Sequence, residues 1–206
     1  MICLITPGRL TDEGFSEESV SLVDTLSSAG AAGVDLIQIR EKALSTRNLS
    51  VLVRDILSVV TGTSTKVMVN ERFDVALSTG AHGVHLTSTS IPGDIVRTNV
   101  PDDFLIGKST HSISDILTVK SFADYVFFSP VFETPSKKGI LEAKGLDELR
   151  SAVTAAEGIP VLALGGINLG NVSAVARCGV TGVAGIGMFE ATDIGITIEE
   201  IRRRFR

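Results

Sequence analysis

Ala29-Gly30-Ala31-Ala32-Gly33-Val34 recurs in form twice more along the chain, as Thr79-Gly80-Ala81-His82-Gly83-Val84 and as Cys178-Gly179-Val180-Thr181-Gly182-Val183. In each copy a helical pattern is expected to stop at a glycine able to take positive φ. A two-residue turn follows, and a second glycine opens a short apolar run. Such runs lie at 2–6, 36–40, 66–70, 84–86, 104–109, 125–130, 161–166 and 183–187. They are near-continuously apolar, as strands buried on both faces of a parallel sheet are. Segments of helical period separate most of them, at 16–29, 45–60, 71–79, 112–122, 146–156, 168–178 and 196–205. The first shows the signature well: Ser16, early acids Glu17 and Glu18, then a stripe of Val20, Val23 and Leu26. A βα unit repeated about eight times, with no linker and no shift in composition, predicts a (β/α)8 TIM barrel, a single domain over residues 1–206. An open, doubly wound sheet is the alternative. It is disfavoured because no GxGxxG follows the first run.

Composition agrees with that reading and removes others. The 206 residues are 44% hydrophobic with a formal net charge of −5, so disorder is excluded. A chain of this length buries roughly 70% of the surface its unfolded form exposes, enough for a core without staples. With no Trp, that core must come from Val, Ile, Leu and Ala. A sequence pI near 5.2 argues against nucleic acid or an anionic membrane as the main partner. Cys3 and Cys178 are too few for a disulfide framework, and their apolar surroundings suit reduced, buried thiols. The first six residues lack the basic stretch of a signal peptide, and no apolar stretch reaches the ~18 residues of a membrane span. The expectation is a soluble, cytoplasmic protein.

In a barrel, chemistry belongs where strands end, and polar residues gather there. The second run ends Gln38-Ile39-Arg40-Glu41-Lys42; alternation sends Gln38, Arg40 and Lys42 to one side, and Arg with Lys suits a phosphate or pyrophosphate. The third ends Asn70-Glu71-Arg72, the fourth His85-Leu86-Thr87-Ser88-Thr89-Ser90, and the fifth Lys108-Ser109-Thr110-His111-Ser112. After the sixth comes a long hydroxyl-rich and basic loop, 131–139, suited to folding over an anion. Gly165-Gly166 and Gly185-Ile186-Gly187 end the seventh and eighth, where barrels commonly bind phosphate through backbone N–H groups. Of the three histidines, His82 is expected at the surface, His85 in a hydrogen-bonded core role, and His111 is the best proton-transfer candidate. No Cys/His cluster or HExxH supports zinc.

These residues resemble the thiamin phosphate synthase superfamily, which includes thiazole tautomerase. The resemblance covers nearly the whole chain. It rests on Gln38-x-Arg40-x-Lys42, Asn70-x-Arg72-x-Asp74, Gly83-Val84-His85-Leu86, Gly107-x-Ser109-x-His111-Ser112, Pro130-Val131-Phe132-x-Thr134-x-x-Lys137 and Gly165-Gly166-Ile167. The synthase joins a pyrimidine pyrophosphate to a thiazole phosphate. Its pattern implies that Gln38, Arg40, Lys42, Asn70, Ser109, Thr134 and Lys137 hold pyrophosphate, with thiazole phosphate on Gly166 and the eighth loop, Ile186 and Gly187. It also carries two aspartates for Mg²⁺; here the first position is Glu71 and the second is Ser90. A serine supplies no charge to a metal.

That departure, and the likeness of the 131–139 loop, make the thiazole tautomerase branch the leading expectation. It implies an isomerase that uses no cofactor, with His111 shuttling the proton that aromatises a carboxythiazole phosphate. The alternative is a synthase, a transferase using Mg²⁺ with Glu71 as a metal ligand. The third is a non-catalytic barrel that binds thiazole or thiamin phosphate. In all three the partner is a small phosphorylated thiazole. Family members are often homodimers, though no exposed stripe in the sequence identifies an interface.

Overall fold

The computed structural model describes residues 1–133, 142–190 and 193–205. Eight parallel strands close into one barrel in chain order: β1 (Ile2–Ile5), β2 (Leu36–Ile39), β3 (Lys66–Asn70), β4 (Gly83–Leu86), β5 (Leu105–Thr110), β6 (Tyr125–Phe128), β7 (Val161–Leu164) and β8 (Gly182–Gly185). Around it run α1 (Phe15–Ala31), α2 (Thr46–Val59), α3 (Phe73–Thr79), α4 (Gly93–Thr98), α5 (Ile113–Val119), α6 (Gly145–Ala156), α7 (Val172–Ala176) and α8 (Ile194–Arg204). A short 3-10 helix, Gly187–Phe189, follows β8. The single-domain (β/α)8 barrel expected from the repeat is the observed fold.

Strand alternation divides the core in two. Cys3, Ile5, Leu36, Met68, Tyr125, Phe127, Leu162 and Ala184 fill the barrel interior. The alternate residues, among them Leu4, Ile37, Val69, Val84, Ile106 and Phe128, pack outward against buried helix residues such as Leu26, Leu52, Ile56 and Leu149. Each fully buried aliphatic side chain in these layers contributes about 1.5–3 kcal/mol. Both cysteines are free and buried.

The repeated turn is built in two ways. Gly80 and Gly179 take φ +77° and +82° after α3 and α7, as expected. In the first copy α1 runs on through Gly30, and Gly33 at φ +84° makes the turn. Two other helices depart from expectation. α7 is five residues long because Asn171 Oδ1 accepts from Asn168 N–H and Asn168 Oδ1 from Gly170 N–H, local bonds that compete with helix. α4 has six residues, too few to show a periodic stripe, and the sequence reading missed it.

Carboxylates stitch the N-terminal rim of the barrel. Asp35 accepts from Ile2 N–H at 2.6 Å and pairs with Arg202 at 3.0 Å. Asp124 accepts from Ile106 N–H at 2.7 Å and pairs with Arg97 at 2.5 Å. Conserving shape falls to this rim, and the opposite one is left for chemistry.

Candidate active site

At the C-terminal rim the inner faces of β2 to β5 turn polar. Gln38, Asn70 and His85 are buried there, at 2%, 7% and 1% exposure. Gln38 Nε2 donates to Asn70 Oδ1 at 2.9 Å, and Asn70 Nδ2 donates to Glu71 Oε2 at 3.0 Å. Lys42 lies 3.2 Å from the same carboxylate oxygen. Thr87 and Thr89 hydroxyls donate to Glu71 Oε1 at 2.5 and 3.0 Å. Glu71 sits at φ +62°, a left-handed conformation that costs a non-glycine residue about 1–3 kcal/mol and is typical of functional sites. Burial pushes its carboxyl up, but the bonds from Thr87, Lys42 and Thr89 together with the Lys42 charge outweigh burial and hold it down at about 2. It is a carboxylate at any physiological pH.

A second network fills the centre. His85 Nε2 lies 2.9 Å from Ser109 Oγ and Nδ1 lies 3.1 Å from the Tyr125 hydroxyl, while the ring stacks on Phe127 at 4.1 Å. Gly107 makes room for it: a Cβ there would meet the Tyr125 ring at 2.2 Å and His85 Nδ1 at 2.6 Å. Burial first, then the Lys108 charge, push His85 down to about 3 against a smaller opposing pull from Glu71. The imidazole is therefore neutral, the core role expected for it. His82, by contrast, is half-buried, and its Nδ1 accepts from Val67 N–H at 3.1 Å.

The cations lie around these networks. Arg40 N–H donates to Thr6 Oγ1 at 2.8 Å, and its guanidinium lies over Gly8. That guanidinium has no ion pair or hydrogen bond among the described residues. Lys108 donates from Nζ to Thr87 carbonyl oxygen at 2.6 Å, and burial lowers its pKa against the pull of Asp115 and Glu71. Lys108 was not among the binding residues read from the sequence. Its alternation with Gly107 and Ser109 points it away from the barrel axis, and only the length of the side chain returns the ammonium to the rim. A cavity of about 250 Å³ opens beside these groups, lined by Lys42, Asn70, Glu71 and Arg72 among others. A larger one, about 720 Å³, lies between α1 and the 3-10 helix. It is mainly apolar, and its Arg9 is already paired with Glu190 at 2.9 Å, so the polar networks mark the chemistry better than size does.

The other candidates sit apart. His111 hydrogen-bonds from its ring Nδ1 to Ser129 carbonyl oxygen at 2.7 Å; because a carbonyl only accepts, Nδ1 carries a proton. Its N–H donates to Asp115 at 2.8 Å, and Ser112 caps α5 through Asp115 N–H. Gly166, Ile186 and Gly187 lie beyond the ends of β7 and β8. They share no hydrogen bond with the β2–β5 groups among the described residues. Gly166 also has a packing reason: a Cβ there would stand 2.6 Å from Glu133 carbonyl oxygen. Thr134, Lys137 and most of the 131–139 loop lie outside the described residues.

The thiamine monophosphate synthase family model matches residues 2–189. The chain belongs to this family. A thiamine-phosphate synthase of Clostridium novyi is 35% identical over 185 residues, 89% of this chain and 90% of that protein. One from Methanoculleus marisnigri is 40% identical over 157 residues, 76% and 74% of the two chains. The structure of thiamine phosphate pyrophosphorylase from Pyrococcus furiosus superposes with a TM-score of 0.83 at 30% identity, covering 99% of this chain and 94% of that one. Family relatives that match most of the chain are thus named as synthases, which are transferases. The tautomerase expectation, an isomerase, is corrected by them. It had leaned on the missing second aspartate and on the likeness of the 131–139 loop, local features that the similarity over most of the chain outweighs.

The Mg²⁺ implied for a synthase does not fit the residues present. A carboxylate offers about four lone-pair sites, and Glu71 already receives Thr87, Thr89, Asn70 and Lys42. Ser90 Oγ accepts from Thr87 N–H at 2.8 Å and brings no charge. No group of three or more acidic, His or Cys residues capable of holding a metal occurs among the described residues, and none of the described helices is long and apolar enough to cross a membrane.

Proposed function

We propose that this protein is a thiamine-phosphate synthase that joins an aminopyrimidine pyrophosphate to a thiazole phosphate. The observation that carries the reading is Gln38 Oε1, a buried acceptor with no hydrogen-bond partner among the described residues. A buried, unpaired acceptor costs about 1–3 kcal/mol unless a ligand supplies the donor. The amino group of the pyrimidine supplies it. Gln38 therefore reads the ring, and does not hold the pyrophosphate as the family pattern had implied, because two acceptors repel. The pyrophosphate goes to the cations at the rim: Arg40, whose guanidinium has no partner among the described residues, with Lys42, Lys108 and the donors of Asn70 and Ser109. Gly166, Ile186 and Gly187 are assigned to the thiazole phosphate, and Thr134 and Lys137 to the pyrophosphate.

The chemistry asks little of acid or base. The bond from the substrate methylene carbon to the pyrophosphate oxygen breaks, and its electron pair leaves with pyrophosphate. The thiazole ring nitrogen supplies the pair for the new carbon–nitrogen bond and the ring becomes cationic. No proton moves, so His111 orients substrate through its Nε2 side and does not shuttle. The protein's main tasks are to hold both rings in line and to stabilise charge on the departing oxygen, roles that preorganised cations and dipoles perform well. We place the protein in the cytoplasm, where its free, buried cysteines stay reduced.

The test is incubation of the pure protein with aminopyrimidine pyrophosphate and thiazole phosphate, reading thiamin phosphate by fluorescence after oxidation. Turnover supports the proposal. Binding of both substrates without any product, at stoichiometric protein, would leave only a binding barrel.

A further inference from the structure

Three side chains in a row lead from the rim into the barrel, and only the first has a fixed polarity. A carboxylate accepts and cannot donate, whereas the amides of Asn70 and Gln38 can present either end. Because Glu71 Oε2 must accept, Asn70 turns Nδ2 to it at 3.0 Å. Asn70 Oδ1 then faces β2, so Gln38 turns Nε2 to it at 2.9 Å. What remains at the buried end is Gln38 Oε1, which has no partner among the described residues. Had residue 71 been a donor, every bond in the row would reverse and the buried end would present N–H. The outer end is equally committed, since Lys42, Thr87 and Thr89 all point donors at the carboxylate.

We infer that Glu71 is a positioning residue that makes the site select a ring amine over a ring carbonyl, acting through Asn70 and Gln38. The inference rests on the synthase reading, which places the pyrimidine at Gln38. An amine donates to Oε1. A carbonyl at the same ring position sets two acceptors face to face where water cannot separate them. Sites built to hydrogen-bond a substrate group reject the wrong partner by large factors, because the protein's buried group is left unpaired. The row thus gives the carboxylate a use that needs no metal.

The test is calorimetry in EDTA with two unreactive probes, a pyrimidine-methanol phosphate carrying an amino group and its carbonyl analogue. The wild-type protein binds the amino probe more tightly by at least about tenfold. Glu71→Met, which has no hydrogen-bonding polarity, brings the two affinities to within about threefold. Glu71→Lys, a donor only, reverses the preference. Variants that fold, by cooperative melting, and keep the wild-type ratio while binding both probes less tightly overturn the inference and leave Glu71 a structural support. Should neither variant fold, the wild-type ratio decides, and a ratio near one overturns it. A wild-type protein that binds neither probe overturns the synthase reading, and the inference with it.

Discussion

Replacing His85 by Leu removes a ring that is fully buried and bonded at both nitrogens, to Ser109 and Tyr125. Two hydrogen bonds are lost, at about 0.5–1.5 kcal/mol each, and the Tyr125 hydroxyl, on a side chain 2% exposed, loses its partner. Near neutral pH the variant should be less stable by about 2–4 kcal/mol. The pH dependence is the sharper part. His85 is held down to about 3 in the folded protein but titrates near 6.5 when unfolded. Below pH 6.5 the unfolded chain therefore binds a proton that the folded chain refuses, and wild-type stability falls as pH falls through that window. The slope is at most about 1.4 kcal/mol per pH unit. The carboxylates with lowered pKa, such as Glu71, lose their contribution only below about 4.5. His82, also lowered by burial, is common to both proteins and cancels. Between pH 6.5 and pH 5 the stability gap between wild type and His85→Leu should shrink by about 2 kcal/mol, measured by urea unfolding at several pH values. A gap that stays constant with pH refutes the neutral, buried imidazole.

Other perturbations separate site from scaffold. Arg40→Met should weaken binding of the pyrimidine pyrophosphate by about tenfold or more with little change in melting temperature, since the guanidinium has no ion pair or hydrogen bond among the described residues; unaltered affinity in calorimetry would remove Arg40 from the anion site. His111→Ala should slow turnover by less than the factor of about 100 that losing a general base brings, and leave the pH–rate profile in place. A lost limb in that profile would restore a proton-transfer role. Asp35→Ala should cost about 1–2 kcal/mol of stability without touching KM, because it frees Ile2 N–H and Arg202 at the rim away from the chemistry. Titrating Mg²⁺ into the free protein should give no binding heat below the millimolar range, as Glu71 is saturated; a tight site would show that the carboxylate releases Lys42 for a metal.

The fold was legible because barrel strands are apolar on both faces and because glycines punctuate the units. Gly80 and Gly179 fall at the turns the pattern marks. Gly30 does not, since nothing local tells a helix to stop when Gly33, three residues on, can serve as well. Helix α4 escaped because six residues carry no period. At the site, polar residues arriving abruptly after apolar runs marked Gln38, Asn70 and His85. Their directions were invisible: the Oε1 of Gln38, without a partner among the described residues, follows from a row of bonds across two neighbouring strands, and sequence spacing does not show which end of an amide faces inward. Lys108 was hidden by alternation. The tautomerase expectation failed through weighting one missing carboxylate and one loop above the agreement with synthases over most of the chain.

The most direct measurement is a single-turnover experiment with stoichiometric protein, aminopyrimidine pyrophosphate and thiazole phosphate, comparing wild type with Gln38→Leu. Thiamin phosphate and pyrophosphate should appear together, in equal amounts, from the wild-type protein, and form far more slowly from the variant. Pyrophosphate without thiamin phosphate, no product at all, or a Gln38→Leu protein as fast as wild type would contradict this expectation.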